Sequence, residues 1–231
     1  MICTLTVVRY PRWLGWAGFL SMAVFRLPLL FSKKIGFWKL MGSGKNGTFD
    51  KTPDWRQWAV LAVWNGEPEA LTRLPQTLYN WWKFFSCETW EIRLVPIEGH
   101  GTWDGKNCFG PLPKQTGYEG RIAVLTRATI RPGKLNRFWA HVNGVAERMH
   151  DAGGFITSLG IGEVPWIKQA TFSVWESKAH MKQFAYQGRE HADVVRKTRD
   201  EKWYSEEMFV RFRIIGSAGT LHHKDPLQGK S

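Results

Sequence analysis

The residues best suited to chemistry lie along one helical face late in the chain. Met181, Phe184, Gly188, His191 and Val195 are spaced three, four, three and four apart, which aligns them on one side of a helix expected over about Ser177–Glu201. Lys182, Glu190, Asp193, Arg196 and Lys197 fall elsewhere on it. A histidine on an inward stripe, beside a glycine that removes side-chain bulk, can present an imidazole to a flat cofactor. A neutral imidazole is a standard axial ligand of haem iron. His191 is therefore the candidate metal ligand, with Gly188 and Phe184 beside the same cofactor. The competing reading is a hydrogen-bonded core histidine, with Gly188 admitting close helix–sheet packing. The chain repeats itself, and the first copy holds Asn80 or Arg73 at the corresponding place, depending on the displacement used. A packing histidine would be expected in both copies.

Other candidates are weaker. His141 and His150 lie on a helix expected over Lys134–His150, His180 precedes Met181, His100 ends a strand, and His222-His223 sit in a polar tail. No HxxxH with an accompanying carboxylate marks a zinc protease or non-haem iron centre. No GxSxG elbow supports a serine triad. Gly160-Ile161-Gly162 lacks the third glycine of a dinucleotide loop, so its glycines are expected to bend a strand at a barrel rim. Glu163, next along, reads as an exposed loop carboxylate. Among the strand arginines, alternation puts Arg127 and Arg131 on one side and Ala128 and Ile130 on the other. Arg127 is a candidate partner for a cofactor propionate; the other reading sets it at a sheet rim in water.

The elements that must position these groups recur. Gly36-Phe37, Gly42 and Gly44 return as Gly154-Phe155, Gly160 and Gly162, displaced by 118 positions, and Gly101-Thr102 returns as Gly219-Thr220. Val63-Trp64 answers Val174-Trp175 at a displacement of 111. A repeat of this length holds a small domain rather than a solenoid unit. The first copy reads as strand Thr4–Tyr10, helix Trp13–Phe25, strands Phe37–Met41 and Ala59–Trp64, helix Pro68–Ser86 with a kink at Pro75, and strand Trp90–Ile97. The second reads as strand Ala123–Ile130, helix Lys134–His150, strands Phe155–Leu159 and Ala170–Trp175, the long helix, and strand Met208–Ile215. Strand-helix-strand-strand-helix-strand, twice, is the ferredoxin-like unit. Each antiparallel sheet has helices on one face, and the bare faces can cover one another. The expected fold is α+β: duplicated ferredoxin-like halves, 1–105 and 121–231, joined by a Gly/Pro-rich linker at 106–120, forming within one chain the barrel that other chains build by dimerising.

Composition agrees with a sizeable core. Of 231 residues, 43% are hydrophobic, with 14 Trp and 14 Phe, enough to fill two cores or to line a shared apolar pocket for a flat ligand. The net charge of +12 is scattered, with no nucleic-acid arm, and suits an acidic protein, an anionic membrane or nucleic acid equally, so charge alone does not choose. Three cysteines without a CxxC spacing point to a reducing, cytoplasmic setting and against a zinc site. The uncharged stretch Trp13–Phe25, interrupted by Arg26 and Pro28, is short for a membrane span. It is expected as a buried or membrane-touching helix rather than a cleaved leader, because a strand-like run precedes it.

Four stretches carry a resemblance: Ile35–Gly44 (IGFWKLMGSG), Leu125–Trp139 (LTRATIRPGKLNRFW), Leu159–Trp175 (LGIGEVPWIKQATFSVW) and Trp203–Phe212 (WYSEEMFVRF). In these, and in their order, the chain resembles the spheroidene monooxygenases of carotenoid biosynthesis. The resemblance implies an oxygenase that uses O2 to introduce hydroxyl or keto oxygen near the end of a carotenoid, with haem as cofactor and reduced ferredoxin as electron donor. The choice of His191 comes from the residue spacing, not from the resemblance. Alternatives are a haem-dependent lyase or dehydratase, a cofactor-free monooxygenase on the same barrel, and an RNA-binding module, which lacks its aromatic RNP1-type strand here.

Overall fold

In the computed structural model, the described residues are 1–45, 52–66, 72–85, 87–187, 198 and 201–228, the side chains of 141–147 and 186–187 excepted. Eight strands run β1 Ile2–Arg9, β2 Ile35–Gly44, β3 Pro53–Trp64, β4 Glu88–Gly101, β5 Ile122–Ile130, β6 Phe155–Val164, β7 Lys168–Trp175 and β8 Tyr204–Gly219. Helices α1 Gly15–Val24, α2 Arg26–Leu30, α3 Gln76–Phe84, α4 Leu135–His150 and α5 Lys178–Gln187 lie between them. The strands close an antiparallel barrel in the order β1-β3-β2-β6-β7-β5-β8-β4. Read from β4, the first half is β4-β1-β3-β2; read from β8, the second is β8-β5-β7-β6. Both are the ferredoxin-like order. Closure leaves neither half with an open edge.

The joints between halves are unequal. β4 and β8 pair along most of their length, from Trp90↔Gly219 to Gly101↔Met208. By contrast β2 and β6 meet at Gly42↔Gly162 and Ser43↔Ile161. Those two pairs fit either displacement, but with Val63-Trp64 matched to Val174-Trp175 the pairings of β2 with β3 and of β6 with β7 set Trp38 and Leu40 against Ser158 and Gly160, a displacement of 120 rather than the 118 of the glycine identities. The turns after β4 and β8 do keep 118. Gly101 (φ +92°) and Gly219 (φ +86°) each begin a turn that closes through a bridge, Trp103↔Lys106 or Leu221↔Lys224. A Cβ on either glycine would fall 2.1 Å from a carbonyl oxygen of the neighbouring strand, that of Glu207 or Thr89. Each turn is capped by a carboxylate from the other long strand: Glu206 accepts from Thr102 Oγ1, and Glu88 from Thr220 Oγ1, both at 2.8 Å.

The shared interior is packed, which corrects the expectation of a common apolar hollow. Alternate residues of every strand point inward, among them Leu5, Leu61, Ile92, Leu125, Phe172 and Phe212, all almost fully buried. Trp90 and Phe172 approach across it with ring centroids 6.5 Å apart. An eight-stranded barrel is just wide enough for its own side chains, and aromatic ones leave no space for a porphyrin. The segment expected as a linker also takes part. Phe109 packs edge-on against Phe212 at 5.2 Å, and Cys108 and Leu112 abut the same core.

Helices cover the outer faces. On α1 and α2, Ala17, Ser21, Phe25 and Leu29 recur every fourth residue and are buried against the first sheet. Gly18 permits the close approach, since a Cβ there would lie 2.2 Å from Trp58 Nε1. α3 starts at Gln76, later than expected from Pro68. Pro75 is its N-cap (φ −51°, ψ 137°) and introduces no kink, because a residue lacking N–H and fixed in φ suits a helix start. Residues 67–71, and most of the expected helix after Gln187, lie outside the described residues.

Candidate functional site

Facing of side chains on β5 follows from its neighbours. Ala123 and Leu125 belong to the barrel core, so Val124, Thr126, Ala128 and Ile130 point outward, beneath the second helix layer. On the covered face of a central strand such residues are normally buried, and Val124, Ala128 and Ile130 are. Thr126, in their midst, is exposed. Among the described residues, the outer apolar side chains here form two clusters, one around Trp175, Met181 and Phe184 and the other around Phe138, Trp139 and Trp203. Thr126 lies in the gap between them, a recess in the outer layer as formed by the described residues.

Register explains the recess. Across the second sheet, Gly160 of β6, Thr171 of β7, Thr126 of β5 and Phe209 of β8 stand side by side. The same row of the first sheet is Leu40, Val60, Thr6 and Glu91. One row toward the strands' other end, Trp38 and Ala62 are matched by Ser158 and Ser173; on the opposite side, Trp58 is matched by Gln169. Trp38, Leu40 and Trp58 pack into one continuous cluster with Tyr10, Phe25 and Trp82 beneath α1–α3. Their counterparts on the second sheet are smaller, and Ser158 and Ser173 are buried. In the first half Thr6 is 2% exposed and donates a hydrogen bond to Glu91 at 3.3 Å.

Polar atoms in and beside the recess are incompletely used. Thr171 Oγ1 and Arg211 Nε are shielded from solvent without a hydrogen-bond partner among the described residues. The Arg211 guanidinium lies 4.8 Å over the Phe209 ring, and the ring of His100 stacks on that same ring with centroids 5.9 Å apart. Arg211 also pairs with Glu98, whose other oxygen accepts from Lys178 Nζ at 2.9 Å and from Thr116 N–H at 2.7 Å. Burial opposes charge on Glu98, but the hydrogen bonds from Lys178, Thr116 and Arg211 prevail and hold its pKa down at about 2. Because Lys178 opens α5, this buried cluster fixes the start of the helix that bounds the recess.

Of the residues singled out in the sequence, Phe184 reaches the recess margin, its ring 5.3 Å from that of Trp175. Gly188 and His191 lie outside the described residues, as does the side chain of His141. Arg127 is neither at a watery rim nor on the recess face. It is 1% exposed and points into one barrel mouth, pairing with Glu206, with Asp104 at 3.6 Å and with Glu163 at 4.0 Å. Glu163 is likewise part of that plug, accepting from Lys39 at 2.6 Å and Trp103 Nε1 at 2.6 Å. Burial works against Asp104 and Glu206, yet Lys168 and Lys39 for the first, and Gly105 N–H and Arg127 for the second, bring both pKa values to about 2. Arg131, predicted to share a side with Arg127, is exposed and donates to the Tyr204 carbonyl. Among the described residues no group of three His, Cys, Asp or Glu side chains could hold a metal ion.

The molecule is thus a closed α+β barrel with a packed centre and, among the described residues, a gap in the side-chain layer over one outer face. Two solved aldoxime dehydratases, one in complex with butyraldoxime, share this fold, with TM-scores of 0.64 and 0.59 at 8% identity, over 99% and 100% of this chain and 84% and 87% of theirs. No family model matches the sequence. Among named proteins, the chain is 36% identical to the spheroidene monooxygenase of Rhodobacter capsulatus over 91% of its own length and 88% of the relative's. It is 35% identical to that of Cereibacter sphaeroides, over 90% and 64%, and 32% identical to that of Rubrivivax gelatinosus, over 83% and 73%. The chain belongs to the spheroidene monooxygenase family and is an oxygenase.

Proposed function

We propose that the protein is a haem-dependent carotenoid monooxygenase, taking O2 and electrons from a reduced ferredoxin, with its cofactor in the recess of the second sheet. The observation that carries this reading is the exposed Thr126 at the centre of an otherwise covered face. The residues there fit a flat, largely apolar group: small side chains form the floor, aromatic clusters bound it at either end, and Arg211 Nε is a free donor at its side. Arg211 replaces Arg127 as the partner of a carboxylate on the cofactor, because Arg127 faces the other side of the sheet. His191, seven residues beyond Phe184 in the sequence, would hold the haem iron. Haem bound there would supply oxygen activation. The chain's own tasks are to fix the cofactor's plane, exclude water with Phe184, Trp175, Phe138 and Trp139, and align the end of a long polyene.

The name shared by the relatives supports a carotenoid substrate and oxygen as co-substrate. A net charge of +12 supports docking of an acidic ferredoxin, and three free cysteines support a cytoplasmic setting. Equal strand order in both halves supports duplication of a ferredoxin-like unit as the origin of this dimeric-type barrel. The test is an absorption spectrum of the purified protein before and after dithionite and carbon monoxide. The expected result is a Soret band that shifts with carbon monoxide and is lost in His191→Ala while far-UV circular dichroism is unchanged. An unaltered band in that variant would remove His191 from the site.

A further inference from the structure

The first half carries a second feature, separate from the recess. α1 and α2 bury one stripe against the first sheet and leave the opposite side apolar as well. Trp13, Trp16, Phe19, Leu27, Leu30 and Phe31 are 58–78% exposed. Two neighbouring elements extend the surface. Trp55, at the start of β3, meets Phe19 edge-on at 6.2 Å, while Trp16 meets Phe85 at 5.8 Å and Phe85 meets Phe84 at 4.9 Å. Trp55 is 57% exposed and Phe84 80%. Single exposed apolar residues are ordinary, but a connected aromatic surface drawn from four elements marks an interaction site.

Charge selects the occupant. No Asp or Glu occurs before Asp50, whereas Arg12, Arg26, Lys33 and Lys34 flank the apolar side chains and are exposed, as is Lys83 beside Phe84. Tryptophan at the margin of an apolar face with cations around it matches the boundary between lipid headgroups and acyl chains. The run Arg12–Leu30 has a mean hydropathy of 1.4, and 28% of it is buried. A spanning helix would have to abandon Ala17, Ser21, Phe25 and Leu29, each buried to within 1% under the first sheet's helical layer. The helix therefore lies along a surface.

We propose that the outer face of α1–α2, extended by Trp55 and Phe84, docks the protein on an anionic lipid bilayer, inserting to a depth of about 5–10 Å. Docking stands independently of the oxidation proposed above. A bilayer is also the phase in which a long apolar polyene would be presented to this chain.

The test is flotation of the full chain with vesicles of phosphatidylcholine alone and with added phosphatidylglycerol, together with its sedimentation velocity in the absence of lipid. Wild-type protein should float with the anionic vesicles and bind neutral ones at least tenfold more weakly, because each cation near an anionic surface changes partitioning about fivefold. The variant Trp13→Ser/Phe31→Ser/Phe84→Ser alters three of the most exposed side chains and should retain its circular dichroism while floating at least tenfold less. Lys33→Glu/Lys34→Glu should lose the preference for phosphatidylglycerol. Equal flotation of the triple variant, or no flotation of the wild type, overturns the proposal. So does a wild-type dimer without lipid that the triple variant dissociates, since a second copy would then be the occupant. Haem content is read separately in the same samples, so loss of lipid binding and loss of the cofactor are distinguishable outcomes.

Discussion

Trp38, Leu40, Trp58 and Val60 project from the first sheet into a continuous apolar layer, while Ser158, Gly160, Gln169 and Thr171 stand at the matching places on the second. Both sheets run in the same strand order, so backbone topology does not distinguish the two faces. Side-chain volume does. A filled layer gains transfer and packing energy from every buried ring, whereas an open one forgoes both and is retained where a ligand can supply the missing contacts. The first half behaves as the structural lobe and presents its spare apolar surface outward. The second carries its small side chains on the face toward α4 and α5.

The comparison can be broken by substitution. Trp82→Ala in α3 should destabilise the protein by about 3–5 kcal/mol, read from the urea midpoint, because the ring is buried against Phe25 and Tyr79 and the packed first face cannot collapse around the loss. A midpoint shift below about 1 kcal/mol would mean that the first layer is as loosely filled as the second.

The joint between the halves depends instead on its paired charges. Glu98, Asp104 and Glu206 are all held at pKa values of about 2, below the ordinary values of 4.5 for Glu and 3.8 for Asp. A depressed carboxylate pKa contributes stability that is present in full above the unfolded-state value and lost as pH falls through the folded one. The urea midpoint should therefore decline from about pH 4.5 towards pH 2. Glu98→Gln, which leaves Lys178 buried without its counter-charge, should lower stability at neutral pH by about 3 kcal/mol and flatten part of that acid slope. A slope unchanged by Glu98→Gln would assign the acid sensitivity to the barrel mouth alone.

The smallest effect belongs at the recess. Thr126→Ala should change stability by less than about 0.5 kcal/mol, since an exposed side chain without a cluster around it contributes little. The same thermal-melt comparison with Thr6→Ala, whose parent hydroxyl is buried and bonded to Glu91, should show a larger loss.

Strand order was readable because β-branched runs such as Thr4–Val8 and helical stripes such as Ala17–Ser21–Phe25 carry their period in the local sequence. Helix bounds were less so: Pro75 within an apolar stretch reads as a kink, and its role as an N-cap depends on the tertiary path before it. The recess was hidden for a different reason. It is a property of register between strands far apart in sequence, and the glycine identities at 118 align Gly160 with Gly42, whereas the sheet pairs Gly42 with Gly162 and makes Leu40 the counterpart of Gly160. Bulges between Ile35 and Phe37 and between Phe155 and Thr157 help set that register. Arg127 illustrates the same limit. Its strand and parity were plain, but which parity faces the barrel centre is decided by Ala123 and Leu125 packing against the opposite sheet.

The most direct measurement of whether the second face holds the cofactor exchanges the two matched residues. Gly160→Leu places in the recess the side chain that fills its counterpart, and Leu40→Gly removes that side chain from the first face. Both variants would be purified alongside wild type and their reduced, carbon monoxide-bound absorption spectra compared at equal protein concentration. The account predicts a Soret band in wild type and Leu40→Gly, and its loss in a folded Gly160→Leu. A full Soret band in Gly160→Leu, or none in wild type supplied with haem, would contradict it.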